Sequence, residues 1–206
     1  MNLDYFVPLL LACLVSYIFG ALPFADKISK RKGVDIFQIG TGLAGASNVL
    51  KSVGKGSALI VLVFDIAKGA SAVSVSTVMG IDGILILVPA FFAIFGHWNS
   101  VFTKFRGGDG LAILIGLMLG ISVISFLICF IMFLILWGTI TRHYDHPTLI
   151  AVPFAIIVFV LLAILTQTEI TLGYILSVPL VAFSVLFHSV VQRRRKPENY
   201  IRLKDI

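Results

Sequence analysis

Hydrophobic runs at residues 5–24, 57–79, 84–97, 111–140, 148–166 and 170–191 dominate this chain and decide what it can fold into. Most are close to the roughly 20 residues that one helix needs to cross a bilayer core. Apolar side chains make up 59% of the 206 residues and charged ones 13%, against about 45–50% apolar in soluble proteins. The runs do not alternate in polarity, as the roughly ten-residue strands of a membrane barrel would. The chain therefore reads as an all-α integral membrane protein, a single transmembrane domain over residues 1–206 with no soluble domain beside it.

The run from Leu111 to Ile140 would measure about 45 Å as one helix, against a hydrocarbon core of about 30 Å. It reads as two spans, with Gly116, Gly120, Ser122 and Ser125 offering the break. That gives a bundle of about seven transmembrane helices. Lys and Arg favour cytoplasmic loops, and seven spans place Lys27, Lys30, Arg31, Lys32, Lys51, Lys55, Lys104, Arg106, Arg142 and the basic tail on one side. The opposite loops then hold Asp4, Asp82 and Glu169. Six spans would send the Arg-rich tail across alone, so the N-terminus is expected outside and the C-terminus in the cytoplasm. The first run lacks a basic leading segment and is followed by "KISKRK", which suits a retained anchor better than a signal peptide. Cys13 and Cys129 fall inside spans and read as packing residues. The net charge of +6 flanks the helices without aromatic interleaving, so the implied partners are membrane lipids with anionic headgroups rather than nucleic acid.

Against this background the stretch "GTGLAGASN" at 40–48 spells G-x-G-x-x-G, the spacing of a dinucleotide turn, but that reading needs a strand before it. None is expected in a loop between two membrane helices. What survives is the ability of Gly40, Gly42 and Gly45, with Thr41, to let backbone N–H groups converge on an anion. A second segment, "FRGGDG" at 105–110, carries Gly107, Gly108 and Gly110 and runs into a helix from Leu111, whose N-terminus attracts negative charge. Each loop alone suits a tight connection; two on one face, beside Lys51, Lys55, Lys104 and Arg106, suit a phosphate.

Asp65 and Lys68 share a face of the second long helix, well inside the apolar run. Each costs about 2.5–3.5 kcal/mol at a bilayer centre unless paired or hydrated. They either neutralise each other or line a polar cavity. His97, closing the next span, is either an interfacial anchor or a hydrogen-bond and proton donor near a phosphate. His188, in the last span, reads as a packing or headgroup-facing residue. His143, Asp145 and His146 lack a further ligand at suitable spacing, so no metal site and no cofactor are expected. G-x-S-x-G is absent, and no His has an Asp five positions on, which sets aside serine hydrolases and the acyltransferases that use that dyad. No internal repeat of the kind transporters carry is visible.

The order of these segments resembles the bacterial acyl-phosphate-dependent glycerol-3-phosphate acyltransferases, the PlsY type, nearly end to end. "SYIFGALPF" at 16–24 looks like its first motif, "GVDIFQIGTGLAGASNVLK" at 33–51 its glycine loop, "FDIAKGA" at 64–70 its helix 2 segment and "GHWNSVFTKFRGGDGLA" at 96–112 its third motif. "TRHYD" at 141–145 and "ENYIRL" at 198–203 fit the last two more weakly. The resemblance implies transfer of a fatty acyl group from acyl phosphate to the 1-hydroxyl of glycerol-3-phosphate, giving lysophosphatidic acid for phospholipid synthesis at the cytoplasmic face of the inner membrane, without metal or acyl-CoA. It carries catalytic roles onto His97, Lys51, Asp109, Asp145, Lys196 and Asn199. Substrate-binding roles fall on Gly40, Thr41, Gly42, Gly45, Asn48, Asp65, Lys68, Lys104, Gly107, Gly108, Gly110, Arg142 and Arg202. The chain departs from the family at polar positions: Ala21 for Ser, Phe37 for Arg, Gln38 often for Lys, Leu43 for Asn, Lys51 for Arg, Asp109 for Lys, Asp145 for Ser and Lys196 for His. Asp109 is expected to pair with Lys104 or Arg106, and Lys196 to supply replacement charge. The alternative is a noncatalytic member that binds a phosphorylated lipid or metabolite.

Overall fold

The computed structural model describes residues 3–140, 147–165 and 172–194. Its helices are α1 (Leu3–Ala21), α2 (Phe24–Lys30), α3 (Ala46–Ser52), α4 (Lys55–Val78), α5 (Leu87–Trp98), α6 (Leu111–Ile121), α7 (Val123–Ile140), α8 (Pro147–Leu165) and α9 (Leu172–Arg194). Single 3-10 turns at Gly83–Ile86 and Val101–Thr103 flank α5. Three segments, Tyr5–Lys30, Lys55–Val78 and Gly83–Thr103, are long and apolar enough to cross a membrane, and shorter apolar helices follow. Outward faces are oily: Leu10, Leu14 and Ile18 of α1, Leu59, Ile60 and Val63 of α4, and Ile124, Ile131 and Ile135 of α7 are all exposed. Such a surface is matched by lipid rather than water.

The long apolar run does break. Ser122 takes an extended conformation (φ −154°, ψ 107°) between α6 and α7, so the run is divided, though α6 with its 11 residues is one of the shorter apolar helices and not a helix of spanning length. The stretch between the first two long helices departs from the expected plain loop, because α2 and α3 lie within it. Each is only 7 residues long, too short for periodicity to stand out. They fold by packing Ala25, Ile36, Phe37, Ile39, Ala44 and Val49 against Ala58 and Val61 of α4 in a small separate core.

Packing between the long helices relies on small residues. α1 packs most extensively on α5, and α4 on α6. A Cβ on Gly20 would run into the Ala93 carbonyl, and one on Gly96 into that of Tyr17. At the α4–α6 crossing, Gly69 faces the Ile113 carbonyl and Gly116 that of Ile66 in the same way. Without a hydrophobic drive between helices in lipid, such close backbone approach is what gives van der Waals and polar attraction. The hydroxyls of Ser71, Ser74, Ser76 and Thr77 in α4 bond back to carbonyls three or four residues earlier, so they add no unpaired donor to an apolar setting. The main core joins Ala72 and Val73 of α4 to Ala93, Ile94, Ile113, Leu117, Cys129, Phe159 and Val185, drawn from α5 through α9. Cys13 and Cys129 are buried free thiols.

Candidate functional site

The first glycine segment is shaped by one side chain. Asn48, 2% exposed, donates from Nδ2 towards the carbonyls of Ile36, Ile39 and Leu43 at 3.0–3.1 Å. Its Oδ1 accepts from the Thr41 N–H at 3.2 Å and the Ser52 hydroxyl at 3.3 Å. The amide thereby gathers the loop around itself. Gly40, at φ +63°, leaves no room for a Cβ beside Asn48 Oδ1, which explains why glycine is needed there.

The second segment is stitched to the first and to α5. The Ala44 N–H donates to the Gly107 carbonyl at 2.9 Å, and the Gly108 N–H to the His97 carbonyl at 3.2 Å. A Cβ at Gly107 would overlap the His97 carbonyl, and one at Gly108 the His97 Nε2. Two successive non-glycine residues, Lys104 (φ 56°) and Phe105 (φ 60°), turn the chain in left-handed conformations, each costing about 1 kcal/mol or more. Asp109 does not pair with Lys104 or Arg106 as expected. Its Oδ1 accepts from the Leu111 N–H at 3.2 Å, and no ion pair forms between it and either base among the described residues. The free N–H groups at the α6 terminus compete for that carboxylate. The Arg106 guanidinium instead lies 4.3 Å from the centre of the Phe37 ring.

Beneath the stitched loops Lys68 Nζ donates to Asp65 Oδ1 at 2.7 Å, with both side chains at most 5% exposed. His97 Nδ1 lies 3.8 Å from the same oxygen, and the Phe24 ring stands 5.4 Å from the ammonium. His97 is therefore buried at the end of α5, against Asp65 and the second glycine segment. Pairing and cavity lining are both realised, since Lys68 and His97 also face a small chamber of about 20 Å³. On the other side of the loops an outer cavity of about 300 Å³ is walled by Phe37, Thr41, Gly42, Trp98, Arg106 and His188, among others. Arg106, Gly107 and Gly108 belong to both walls. Trp98 is fixed by donating from Nε1 to the Asp109 carbonyl at 3.2 Å, and His188 stacks on it with centroids 4.2 Å apart. A third, apolar cavity of about 200 Å³ lies between α6, α7 and α8, from Leu111 to Ile156.

Of the residues singled out in the sequence, the structure brings Thr41, Gly42, Lys68, His97, Arg106, Gly107, Gly108 and His188 to these two cavities, the chamber and the outer cavity, with Asp65 behind them. Gly40, Gly45, Asn48, Asp109 and Gly110 are absent from both linings. They form the loop and helix entry around the cavities. Lys51 and Lys104 are exposed and line neither. Arg142, Asp145, Lys196, Asn199 and Arg202 lie outside the described residues, as do His143 and His146. Asp26, Trp98 and Gln192 are cavity residues that the sequence did not single out. Trp98 sits between two motif residues and could have been found from that; Asp26 and Gln192 carry no such signal.

Fold and site together define a helical membrane protein with a Gly-walled, Arg-bearing polar site at one end of the bundle and an apolar cavity between its helices. The chain belongs to the family described as glycerol-3-phosphate acyltransferase, whose model matches residues 10–203. It is 44% identical over 109 residues to glycerol-3-phosphate acyltransferase 1 of Deinococcus radiodurans, covering 53% of this chain and 55% of that one. Against a glycerol-3-phosphate acyltransferase of Thermus thermophilus it is 42% identical over 52% of this chain and 53% of the relative. The chain thus spans about half the length of these curated relatives. A longer match, 34% identical, covers 70% of this chain and 72% of glycerol-3-phosphate acyltransferase 2 of Bacillus cereus. The fold is that of PlsY (YgiH), solved as an integral membrane glycerol 3-phosphate acyltransferase in its glycerol 3-phosphate form, with a TM-score of 0.71, 24% identity and coverage of 90% and 88% of the two chains. The lysophosphatidic acid form gives 0.72 at 22% identity, covering 93% and 96%.

Proposed function

We propose that this protein is an acyltransferase that moves a fatty acyl group from acyl phosphate to the 1-hydroxyl of glycerol-3-phosphate, forming lysophosphatidic acid at the cytoplasmic face of the cell membrane. The observation that carries the proposal is the outer cavity, where two stitched glycine segments and Arg106 enclose about 300 Å³ beside the buried Asp65–Lys68–His97 cluster. That space suits a phosphorylated three-carbon acceptor, and the Arg106 guanidinium with the Thr41 hydroxyl suits a phosphate. The apolar cavity starting at Leu111 suits the fatty chain. In the reaction the acceptor hydroxyl oxygen bonds to the acyl carbon, the bond from that carbon to the phosphate oxygen breaks, and the hydroxyl proton leaves with inorganic phosphate. Charge developing on the carbonyl oxygen is met by the positive charge of Arg106 in the cavity wall. Arg106 and the Thr41 hydroxyl are assigned to substrate phosphate, Gly42, Gly107 and Gly108 to the shape of the wall around it, and His97 and Lys68 to the polarity of the site floor. About seven crossings, with the N-terminus outside and the basic loops inside, put the cavity mouth in the cytoplasm.

The test is acyl transfer by the purified protein in lipid nanodiscs, with labelled glycerol-3-phosphate and either acyl phosphate or acyl-CoA. Lysophosphatidic acid formed from acyl phosphate alone is the expected result. Binding of glycerol-3-phosphate with no product at high protein concentration would replace the proposal with a noncatalytic binding role.

A further inference from the structure

The small chamber contains a carboxylate oxygen whose bonding is incomplete. Asp26, near the start of α2, is 5% exposed and faces the chamber together with Lys68, His97, Ser100 and Thr103. Its Oδ2 accepts from Lys30 Nζ at 2.8 Å. Its Oδ1 is buried and has no hydrogen-bond partner among the described residues. Of the donors nearby, the Ser100 hydroxyl is engaged with the Ala21 carbonyl and the Thr103 hydroxyl with the Ser100 and Arg106 carbonyls, the Lys68 ammonium gives one of its N–H groups to Asp65 and none to Asp26, and the Ser29 hydroxyl, one turn on in α2, is likewise buried without a partner. A buried carboxylate oxygen without a donor is costly, so the site asks for an O–H or N–H from a ligand.

Size decides which one. The chamber's roughly 20 Å³ is about what a single water or hydroxyl requires on the same measure, which is about 10–15 Å³. A phosphate does not fit, and its charge would oppose the carboxylate. Nor can the chamber admit an acyl phosphate, so a hydroxyl held there is not the one that reacts. The two spaces lie back to back, with Arg106, Gly107 and Gly108 lining both.

We infer that Asp26 Oδ1 accepts a hydrogen bond from the non-reacting C2 hydroxyl of the acceptor and so sets the preference for a glycerol backbone. The inference rests on the acyl-acceptor reading proposed above. It makes Asp26 a specificity residue acting on KM and on acceptor choice rather than on the leaving phosphate.

The full-length protein in nanodiscs is assayed with glycerol-3-phosphate and with 3-hydroxypropyl phosphate, which lacks the C2 hydroxyl, and binding of both is measured by calorimetry. Wild type is expected to prefer glycerol-3-phosphate by roughly ten- to a hundredfold in kcat/KM, the range for a buried hydrogen bond to a charged group. Asp26→Leu should bring the ratio near one by losing only the hydroxylated acceptor. Asp26→Asn, which keeps a carbonyl acceptor, should restore part of the ratio, and Lys30→Ala should leave it intact. Equal wild-type use of the two acceptors would overturn the inference while leaving the acyltransferase reading in place, and would mark the chamber as a water site. So would a Lys30→Ala effect equal to that of Asp26→Leu. Binding that discriminates the two ligands through Asp26 without any acyl transfer would sink the acyltransferase reading and keep the subsite. Failure of the wild type to bind either ligand would sink both.

Discussion

Lys68 is a charge held in the protein interior, and its meaning depends on Asp65 at 2.7 Å. Removing one partner strands the other, which typically costs about 3–5 kcal/mol, whereas replacing both with apolar groups is often neutral. Lys68→Ala is therefore expected to lower the unfolding free energy in micelles by about that amount, and the double variant Asp65→Leu, Lys68→Met should recover most of it. A double variant no more stable than the single one would show that the pair is not the source of the loss. Gly108 makes a different demand, since any Cβ there meets His97 Nε2 and the Ala44 carbonyl. Gly108→Ala should cut kcat/KM by at least about tenfold through a displaced loop, while Gly56→Ala in α4, with open space around it, should leave activity within about twofold and gain a few tenths of a kcal/mol of helix propensity. Asp109 now belongs to this scale as well. Its Oδ1 accepts from the Leu111 N–H at the start of α6, so Asp109→Ala should cost about the 1 kcal/mol of one hydrogen bond with KM for glycerol-3-phosphate little changed. A large KM change would put the carboxylate on the substrate instead.

At the scale of elements, the long helices were legible because twenty apolar residues in a row leave little choice of structure. The break in the fourth run was legible too, since length alone demanded it and Ser122 supplies it. The short helices α2 and α3 were not, because 7 residues hold too few turns for a period to emerge. Their existence depends on contacts with α4 that sequence spacing does not reveal. The candidate site divides the same way. The glycine segments announced themselves by composition, and His97 and Lys68 by being polar in an apolar run. Asp26 sits among ordinary loop charges in "FADKISK" and becomes distinctive only through its burial and its orphaned oxygen. Helix contacts give a prediction of their own. Gly116→Val would force α6 off α4, where the Ile66 carbonyl leaves no space, and because α6 begins at the second glycine segment, the loss should appear in activity as well as in thermal stability. An active, stable Gly116→Val variant would mean that the crossing is looser than drawn.

For the whole molecule the question is which end faces the cytoplasm. Lys32, just after α2, and Lys104, in the second loop, are both exposed and belong to the basic side, whereas Asp82 lies in the α4–α5 connection at the other end of the bundle. In a cell, a membrane-impermeant thiol reagent added outside should label Asp82→Cys and spare Lys32→Cys and Lys104→Cys until the membrane is opened. Labelling of Lys104→Cys from outside would invert the topology and remove the site from the cytoplasmic pool of phosphorylated acceptors. The native Cys13 and Cys129 are both buried, so they should contribute little background.

The stack of Trp98 on His188 ties the end of α5 to α9 across the outer cavity. An indole in face contact with an imidazole is also an optical device: protonation of the imidazole quenches indole emission, and separation of the rings restores it. The chain has two tryptophans, and the other, Trp137, belongs to α7, a helix that lends no described residue to either polar cavity. With Trp137→Phe in place, the intensity of Trp98 becomes a label-free reading of the contact between α5 and α9 beside the cavity while the protein works in its own lipid.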